Sequence, residues 1–475
     1  MSEHRADLRK RIDNWFRLHK DEMISDLGRL IAINSVRGPA QPGMPYGAES
    51  RAVLDLAKAM LEQRGFKVDV FEDMIITADL GPAPPQLGIL CHLDVVAAGT
   101  GWDSDPFTMT IKDGKIYGRG ATDNKGPCVA AMYAMYCARE LCPELKHGFR
   151  LLMGSGEESG CEDIAQYIAK IDPPPAVFTP DADFPIVNTE KGRLAPTFIA
   201  EWSEYVSLPR VVSITGGTTR NMVPELAEAV VEGFELGEVK QFCRKYSEKT
   251  GAVISAKADG KQIVISAVGR AAHAARPDNG LNAQTALIEM LAAMPFFADS
   301  AGTESIRALN RLFPHGDLYG KALGISMSDE LTGPLTVNFG VLSLHCETGF
   351  TGNFDSRTPE CADSVDILGI TREAFEREGF TMTSHDISKS HHTPEDSALV
   401  QTLLRLYEEY TGLPGSCLSV GGQTYAHNIP GGVAFGTGTH GVNNGIHSAN
   451  EFIGEQHLLM CAKMFTQAIL DMCGA

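Results

Sequence analysis

Three short apolar runs in this chain are each followed, within a few residues, by imidazole or carboxylate side chains. The three pairs are Leu87–Cys91 with His92, Phe149–Met153 with Glu157 and Glu158, and Ala176–Thr179 with Asp181. Such continuous apolar runs are typical of strands that are buried on both faces of a parallel sheet. In open α/β sheets, ligands bind beyond the carboxyl ends of the strands. The runs therefore predict an α/β fold that gathers these polar side chains at one edge of a sheet.

The pattern changes in the middle of the chain. Between residues 193 and 388, alternating strands and helices predict an α+β domain with an antiparallel sheet. Helices are predicted at Gly237–Thr250, Leu281–Met294 and Asp363–Glu378, and a strand at Thr381–Lys389. A similar order of elements recurs within the region, which suggests two related halves. We therefore predict a discontinuous catalytic domain, residues 1–192 and 389–475, with a mixed, largely parallel sheet flanked by helices. Residues 193–388 are predicted to form an inserted α+β lid domain.

The composition excludes several classes of partner. The 475 residues carry a formal net charge of −19, with a pI near 5.2. Nucleic acids and anionic membranes bind basic surfaces, so neither is expected as a partner. No apolar run approaches the roughly 18 residues of a membrane span. The eleven cysteines include no Cys-x-x-Cys pair, and reduced thiols in a cytoplasmic enzyme are expected.

The polar residues at the strand ends have the chemistry of a metal site. Zinc binds imidazole nitrogen and carboxylate oxygen, and two neighbouring ions need a carboxylate that bridges them. Asp123 lies in a turn rich in glycine and is the natural bridge. Taken singly, each residue has a simpler explanation: a histidine after a strand is often structural, a Glu-Glu pair is usually solvated, and Asp123 could cap a helix. Their joint occurrence favours a site for two metal ions.

These motifs resemble the M20 metallopeptidase family. The segments that carry the resemblance are His92–Val96, Gly101–Phe107, Gly118–Gly126 and Gly156–Gly160. Pro180–Pro185 together with Glu190–Gly192 is most similar to the PepV-like, carnosinase-like dipeptidase branch. The matching motifs extend from about residue 20 to the C-terminus, so the resemblance covers nearly the whole chain.

The resemblance implies a ligand set for two zinc ions, with manganese or cobalt as alternative metals. One ion would bind His92 and Asp181, and the other Glu158 and His447. Asp123 would bind both ions.

The resemblance also implies roles for two further carboxylates. Asp94 would orient the imidazole of His92, and Glu157 would act as the general base on a water that bridges the zinc ions. The Asp123-Asn124 peptide bond would be cis.

In the inserted domain, the resemblance assigns residues that act on the substrate. His273 would stabilise the tetrahedral oxyanion, and Asn221 would bind the substrate. Arg357 would grip the substrate carboxylate, which suits its bidentate guanidinium. The Gly421–Thr424 loop, with Gly422, would also touch the substrate.

The predicted activity is hydrolysis of dipeptides or short peptides with a free N-terminus and a C-terminal carboxylate. A deacylase or desuccinylase of N-acyl amino acids is one alternative, and an inactive peptide-binding sensor is another. The size of the insert, which could supply His273 within one chain, favours a monomer over a homodimer.

Overall fold

The computed structural model describes residues 3–296, 300–384, 386–439 and 441–474. The chain divides into two compact units. The first unit comprises Met1–Thr189, His392–Ser419 and Gln423–Ala475, and the second comprises Glu190–His391 and Val420–Gly422. The strand predicted at Thr381–Lys389 contains His385, which lies outside the described residues. Among the described residues, no helix combines the length and the apolar character that crossing a membrane requires.

A mixed sheet forms the centre of the first unit. Its strands, in spatial order, are Val68–Phe71, Ile75–Leu80, Gly148–Gly154, Pro85–His92, Ala176–Thr179, Val433–Ala434, Ile186–Glu190 and His391–His392, and Cys417–Val420 pairs with Ile186–Glu190. The four central strands, from Gly148–Gly154 to Val433–Ala434, are parallel. Ile75–Leu80 is antiparallel to both of its neighbours, and Ile186–Glu190 is antiparallel to Val433–Ala434. The three apolar runs of the sequence are thus adjacent parallel strands, as predicted, and their carboxyl ends lie at the same edge.

Helices bury the faces of this sheet. The α-helices of the first unit are Glu3–Ile31, Ala48–Gln63, Lys125–Leu141, Glu162–Ile168, Ala398–Thr411 and Glu455–Cys473. The first fourteen residues of Lys125–Leu141 are all buried, because small side chains let this helix pack closely under the sheet. A separate three-stranded sheet contains Thr110–Lys112, Lys115–Tyr117 and Phe452–Gly454. Its hairpin turns through Asp113-Gly114, both at positive φ, as the Asp-Gly motif predicts.

The largest sheet of the second unit is antiparallel. Its strands, in order, are Val253–Asp259, Gln262–Val268, Leu226–Glu232, Arg210–Gly216, Thr336–His345, Gly349–Thr358, Gly192–Leu194 and Ile387–Ser388, and Thr197–Glu201 pairs with both Gly349–Thr358 and Thr381–Met382. The segments expected to form two halves therefore share a continuous sheet, joined where Arg210–Gly216 pairs with Thr336–His345. The fold class is confirmed: an α/β unit with a second α+β unit inserted into it.

The helices of the second unit differ in part from prediction. They are Leu236–Thr250, Ala283–Ala292, Ala301–Leu312 and Ile367–Arg377. Ala301–Leu312 was not predicted. The helix predicted over Asp363–Glu378 is instead divided into a 3₁₀ turn, Glu360–Ser364, and the helix Ile367–Arg377. At the start of this helix the Asp366 side chain accepts a hydrogen bond from Gly369 N at 2.8 Å. This N-cap fixes where the second helix begins.

Candidate metal centre

Asp123 lies between two imidazoles, each facing a different oxygen of its carboxylate. His92 Nε2 is 3.0 Å from Oδ1, and His447 Nε2 is 3.0 Å from Oδ2. Asp181 Oδ2 is 3.4 Å from the same nitrogen of His92. Both oxygens of Glu158 are 3.2 Å from His447 Nε2. The five predicted ligands are thus brought together as two groups that have Asp123 in common.

Each group has the spacing that a metal ion requires. The groups are His92, Asp123 and Asp181, and Asp123, Glu158 and His447, and within each group one ligand atom per residue lies within 4.8 Å of the others. Two ligands placed 2.0–2.1 Å from a tetrahedral zinc ion lie about 3.3 Å apart. The observed separations of 3.0–3.4 Å match this value.

The environment of His92 is the strongest sign that the groups fit a cation. Its imidazole is fully buried, and Nε2 makes no hydrogen bond within the described part of the chain. The oxygens of Asp123 and Asp181 lie 3.0 and 3.4 Å from Nε2 without forming a hydrogen bond with it. A buried nitrogen without a hydrogen bond costs free energy unless something else satisfies it. A metal ion would satisfy the nitrogen and both carboxylates together.

The close approach of carboxylates and imidazoles also shifts the pKa values of His92 and Asp123. Burial opposes protonation of His92, but the charges of Asp181, Asp123 and Asp94 outweigh it and raise the imidazole pKa well above its ordinary value. Burial likewise opposes ionisation of Asp123, yet the neighbouring imidazoles of His447 and His92 hold its carboxyl pKa far below the ordinary range. Both shifts show that the site favours positive charge between its carboxylates.

The outer carboxylates of the site are affected mainly by burial. Burial, reinforced by the charge of Asp123, raises the pKa of Glu158 to about 7. Burial raises the pKa of Asp181 to about 6, although the charge of His92 opposes the shift. Burial lowers the pKa of His447, but hydrogen bonds to Asp123 and Glu158 raise it to about 11.

Asp94 fixes the turn that carries Glu157 and Glu158. Its side chain is almost fully buried, and its oxygens accept hydrogen bonds from Glu157 N at 3.3 Å and Glu158 N at 3.0 Å. On the other side, His92 Nδ1 is 3.1 Å from the backbone oxygen of Asp94 and 3.4 Å from its Oδ1. Asp94 therefore holds the His92 imidazole chiefly through its carbonyl, while its carboxylate positions the next strand end.

Glu157 belongs to neither ligand group. Burial, followed by the charge of Asp181, raises the pKa of its carboxyl well above the ordinary value, although His92 opposes the shift. A carboxyl whose proton affinity is increased in this way is suited to take up a proton and later give it back.

Glu451, which the sequence reasoning missed, holds the loop that carries Asp123. It is fully buried and accepts four hydrogen bonds from that loop. The donors are Arg119 Nη1 at 2.7 Å, Gly120 N at 3.1 Å, Thr122 N at 2.9 Å and Asp123 N at 3.0 Å. The peptide bond after Asp123 is cis, as the resemblance implied. An arginine between two glycines in a buried segment signals that a carboxylate partner exists, but not which one.

A buried tyrosine, also missed, supports the strand end behind Glu157. The hydroxyl of Tyr425 donates to Asp163 Oδ2 at 2.5 Å and accepts from Gly156 N at 3.3 Å. Asp163 Oδ2 also accepts from Ser155 N at 3.0 Å. The Tyr425 ring meets the His92 ring edge-on, with centroids 6.1 Å apart. The backbone just before Glu157 is therefore fixed from two directions.

The residues predicted to bind substrate all belong to the second unit. The segments that carry Asn221 and His273 pair directly, through a bridge between Met222 and His273 and a hydrogen bond from Ala274 N to Asn221 O at 2.8 Å. His273 Nδ1 accepts from Ala275 N at 3.1 Å, and both Asn221 and His273 are exposed. Residues 52 positions apart in the sequence are thus neighbours.

Arg357 and the Gly421–Gly422 segment are also neighbours. Arg357 Nη1 donates to Gly421 O at 2.8 Å, and a Cβ on Gly421 would lie 2.8 Å from Ala275 Cβ. Space remains around Gly422, where an added Cβ would meet nothing within 4 Å. Arg357 is nearly buried and ion-paired with Asp355 at 2.6 Å. The second unit therefore brings Asn221, His273, Gly421 and Arg357 into one chain of contacts.

Comparison with known proteins identifies the class. The family model for peptidase family M20/M25/M40 matches residues 88–471. The chain therefore belongs to the M20 family, whose members carry out metal-dependent hydrolysis, and the predicted membership is confirmed.

Similar proteins agree with this assignment. The chain is 34% identical over 458 residues to "Putative dipeptidase YtjP" of Bacillus subtilis (strain 168). The alignment covers 95% of this chain and 97% of the relative. Human carnosine dipeptidase 1 has a similar fold, with a TM-score of 0.58 at 18% identity over 98% of both chains. The yeast di-peptidase Dug1p from Saccharomyces cerevisiae gives a TM-score of 0.58 at 14% identity, over 97% of this chain and 98% of that one.

Metal binding is expected to release protons. Without metal at pH 7, His447, with a pKa of about 11, carries a proton, and Glu158, with a pKa of about 7, is partly protonated. A cation needs a neutral imidazole and an ionised carboxylate, so uptake displaces these protons and apparent affinity rises with pH. Calorimetric titration of the apoprotein with zinc at pH 7, in buffers of different ionisation enthalpy, should show net proton release. Identical heats in all buffers would contradict this account.

Glu451→Gln is expected to weaken metal binding. Glutamine keeps the size but has one acceptor oxygen, so two of the four donors lose their acceptor and the buried Arg119 loses its ion pair. Outer partners of metal ligands typically affect metal affinity by about 10–100-fold. Competition with a chromophoric chelator measures the affinity. Glu455→Gln is the matched control, because the Glu455 carboxylate pairs with Lys20 at 2.7 Å. Equal affinities for both variants would remove Glu451 from the centre.

Proposed function

We propose that this protein is a dipeptidase that hydrolyses dipeptides or short peptides with a free N-terminus and a free C-terminal carboxylate. The observation that carries the proposal is the position of Asp123, whose two oxygens face two different imidazoles. Full-length similarity to relatives named as dipeptidases supports the substrate class.

We assign His92, Asp123 and Asp181 to one metal ion, and Asp123, Glu158 and His447 to the other. Zinc is the proposed metal, because imidazole and carboxylate are its usual ligands; manganese and cobalt accept similar sets. When bound, such ions polarise the scissile carbonyl and acidify water. Asp94 is proposed as a positioning residue, since it holds the His92 ring and the backbone of Glu157 and Glu158.

Glu157 is proposed as the group that moves the proton. It takes a proton from the attacking water and later returns it to the leaving amine, so that a neutral amine departs. Its raised pKa suits both directions of transfer. Because Asp94 and Tyr425 fix the backbone on either side of it, little freedom is lost when it acts.

Four residues of the second unit are assigned to the substrate. His273 is proposed to donate a hydrogen bond to the developing oxyanion. In comparable sites one such donor stabilises the transition state by about 2.7–4 kcal/mol. Asn221 and Gly422 are proposed to contact the peptide, and Arg357 to bind its terminal carboxylate. The contacts that link these residues to each other support their acting on one ligand.

A hydrolysis panel tests the substrate class. Purified enzyme with zinc, manganese or cobalt added back is assayed on alanylalanine, alanylalanine amide, trialanine, β-alanylhistidine and N-acetylalanine. We expect the highest kcat/KM for a dipeptide with both termini free. Faster cleavage of N-acetylalanine would favour a deacylase, and absence of hydrolysis with every metal would favour a peptide-binding sensor.

Glu157→Gln is expected to abolish turnover without loss of metal. Glutamine preserves the shape but cannot take up the proton, and general acid–base groups contribute about 10²–10⁴-fold. Metal content is measured by atomic emission and kcat on the preferred dipeptide. Glu162→Gln is the control, because Glu162 is exposed in the next helix and pairs only loosely with Arg37, at 3.7 Å. A Glu157→Gln variant that retains its kcat would assign the proton transfer to another group.

A further inference from the structure

Two arginines of the second unit share a single buried carboxylate. Arg193 lies in the strand Gly192–Leu194 and Arg357 in the neighbouring strand Gly349–Thr358, and the register places them directly opposite each other. Residues directly opposite on antiparallel strands project from the same face, as do residues two apart on one strand. Asp355 therefore shares that face with both arginines.

The distances show that Asp355 serves both guanidiniums. Its side chain is fully buried. Oδ1 accepts from Arg357 Nε at 2.6 Å, and Oδ2 accepts from Arg193 Nε at 3.0 Å and from Arg357 Nη2 at 3.3 Å. Within the described ranges, neither arginine forms an ion pair with any other carboxylate. Two positive charges thus face one negative charge, and one positive charge remains uncompensated.

This residual charge is costly in the isolated protein. Like charges directly opposite on a sheet repel each other, and a charge taken out of water needs a partner. Carboxylates that could serve as partners are plentiful elsewhere in the chain, whose formal net charge is −19. A site that stays positive under these conditions is prepared for an anion that arrives from outside.

Hydrogen-bond donors remain for that anion. A guanidinium has five N–H groups. Arg357 uses three of them, on the two oxygens of Asp355 and on Gly421 O at 2.8 Å, which leaves two. Arg193 uses one, on Asp355, and has no other side-chain hydrogen bond among the residues that the structure describes. Its side chain is 19% exposed against 6% for Arg357, so Arg193 is the more accessible of the pair.

We propose that Arg193 is a second carboxylate-binding arginine, and that it and Arg357, held side by side by Asp355, bind the C-terminal carboxylate of the substrate together. The inference rests on the proposed dipeptidase function and adds a residue that determines specificity. A carboxylate supplies one negative charge and two acceptor oxygens, which completes the charge balance and matches planar guanidinium donors.

The test compares a substrate that has the carboxylate with one that lacks it. We expect Arg193→Met to raise KM for alanylalanine by about tenfold or more, because a charge-assisted hydrogen bond is lost. The kcat should change little, and kcat/KM for alanylalanine amide should stay near the wild-type value. Arg193→Lys should restore part of the affinity, because a point charge returns without the fork of donors.

A matched control separates specificity from stability. Arg210 lies in the same sheet with a side chain 18% exposed, but two carboxylates balance it, Glu232 at 3.0 Å and Glu347 at 2.7 Å. Arg210→Met should leave KM for both substrates unchanged. Thermal unfolding of all variants reports whether each is folded.

The possible outcomes are distinguishable. If Arg357→Met raises KM for alanylalanine and folded Arg193→Met does not, the inference is overturned and the dipeptidase function stands. An equal loss on the amide would make Arg193 a structural residue and also overturn the inference. Wild-type enzyme that hydrolyses neither substrate with any added metal would overturn the proposed function, and the inference with it.

Discussion

The structure of the first unit depends on one carboxylate that serves two imidazoles. Asp123 can do so only if its own backbone is fixed, because both of its oxygens are committed. The fixing comes from Glu451, which gathers four donors of the preceding loop on one buried side chain. Close-packed carboxylates repel each other, and the backbone that carries them must resist this repulsion. Buried hydrogen bonds to Glu451, Asp94 and Asp163 provide that resistance at three separate points of the site.

Much of this arrangement could be predicted from the sequence, because its signal is local. Continuous apolar runs identify buried strands, and a residue that follows such a run must lie at the end of a strand. His92, Glu158 and Asp181 were found in this way. The resemblance of the motifs to a known family added the assignment of the ligands to two ions and the separation of Asp94 from the ligands. The structure places all five predicted ligands in two groups that share Asp123.

The features that could not be predicted depend on long-range pairing. Glu451 and Arg119 are 332 positions apart in the sequence, and no local pattern links them. The helix Ala301–Leu312, by contrast, was missed although it carries a local signal: an N-cap at Ser300 and buried apolar residues at helical spacing, Ile306, Leu309 and Leu312. The Asn221–His273 neighbourhood arises from a bridge between distant segments. Hydrophobic periodicity identifies individual helices and strands, whereas the fold as a whole decides which segments pair with each other.

The distribution of the candidate residues has a consequence for how such a protein diversifies. Every proposed metal ligand belongs to the first unit, and every residue assigned to the substrate belongs to the second. Mutations that alter substrate choice and mutations that alter the hydrolytic centre therefore lie in different units. Each unit has its own packed core and its own tolerance to substitution. A lineage can explore new substrates in the inserted segment while an older chemistry is inherited intact. Genetic drift in one unit thus leaves the selective constraints on the other largely unchanged.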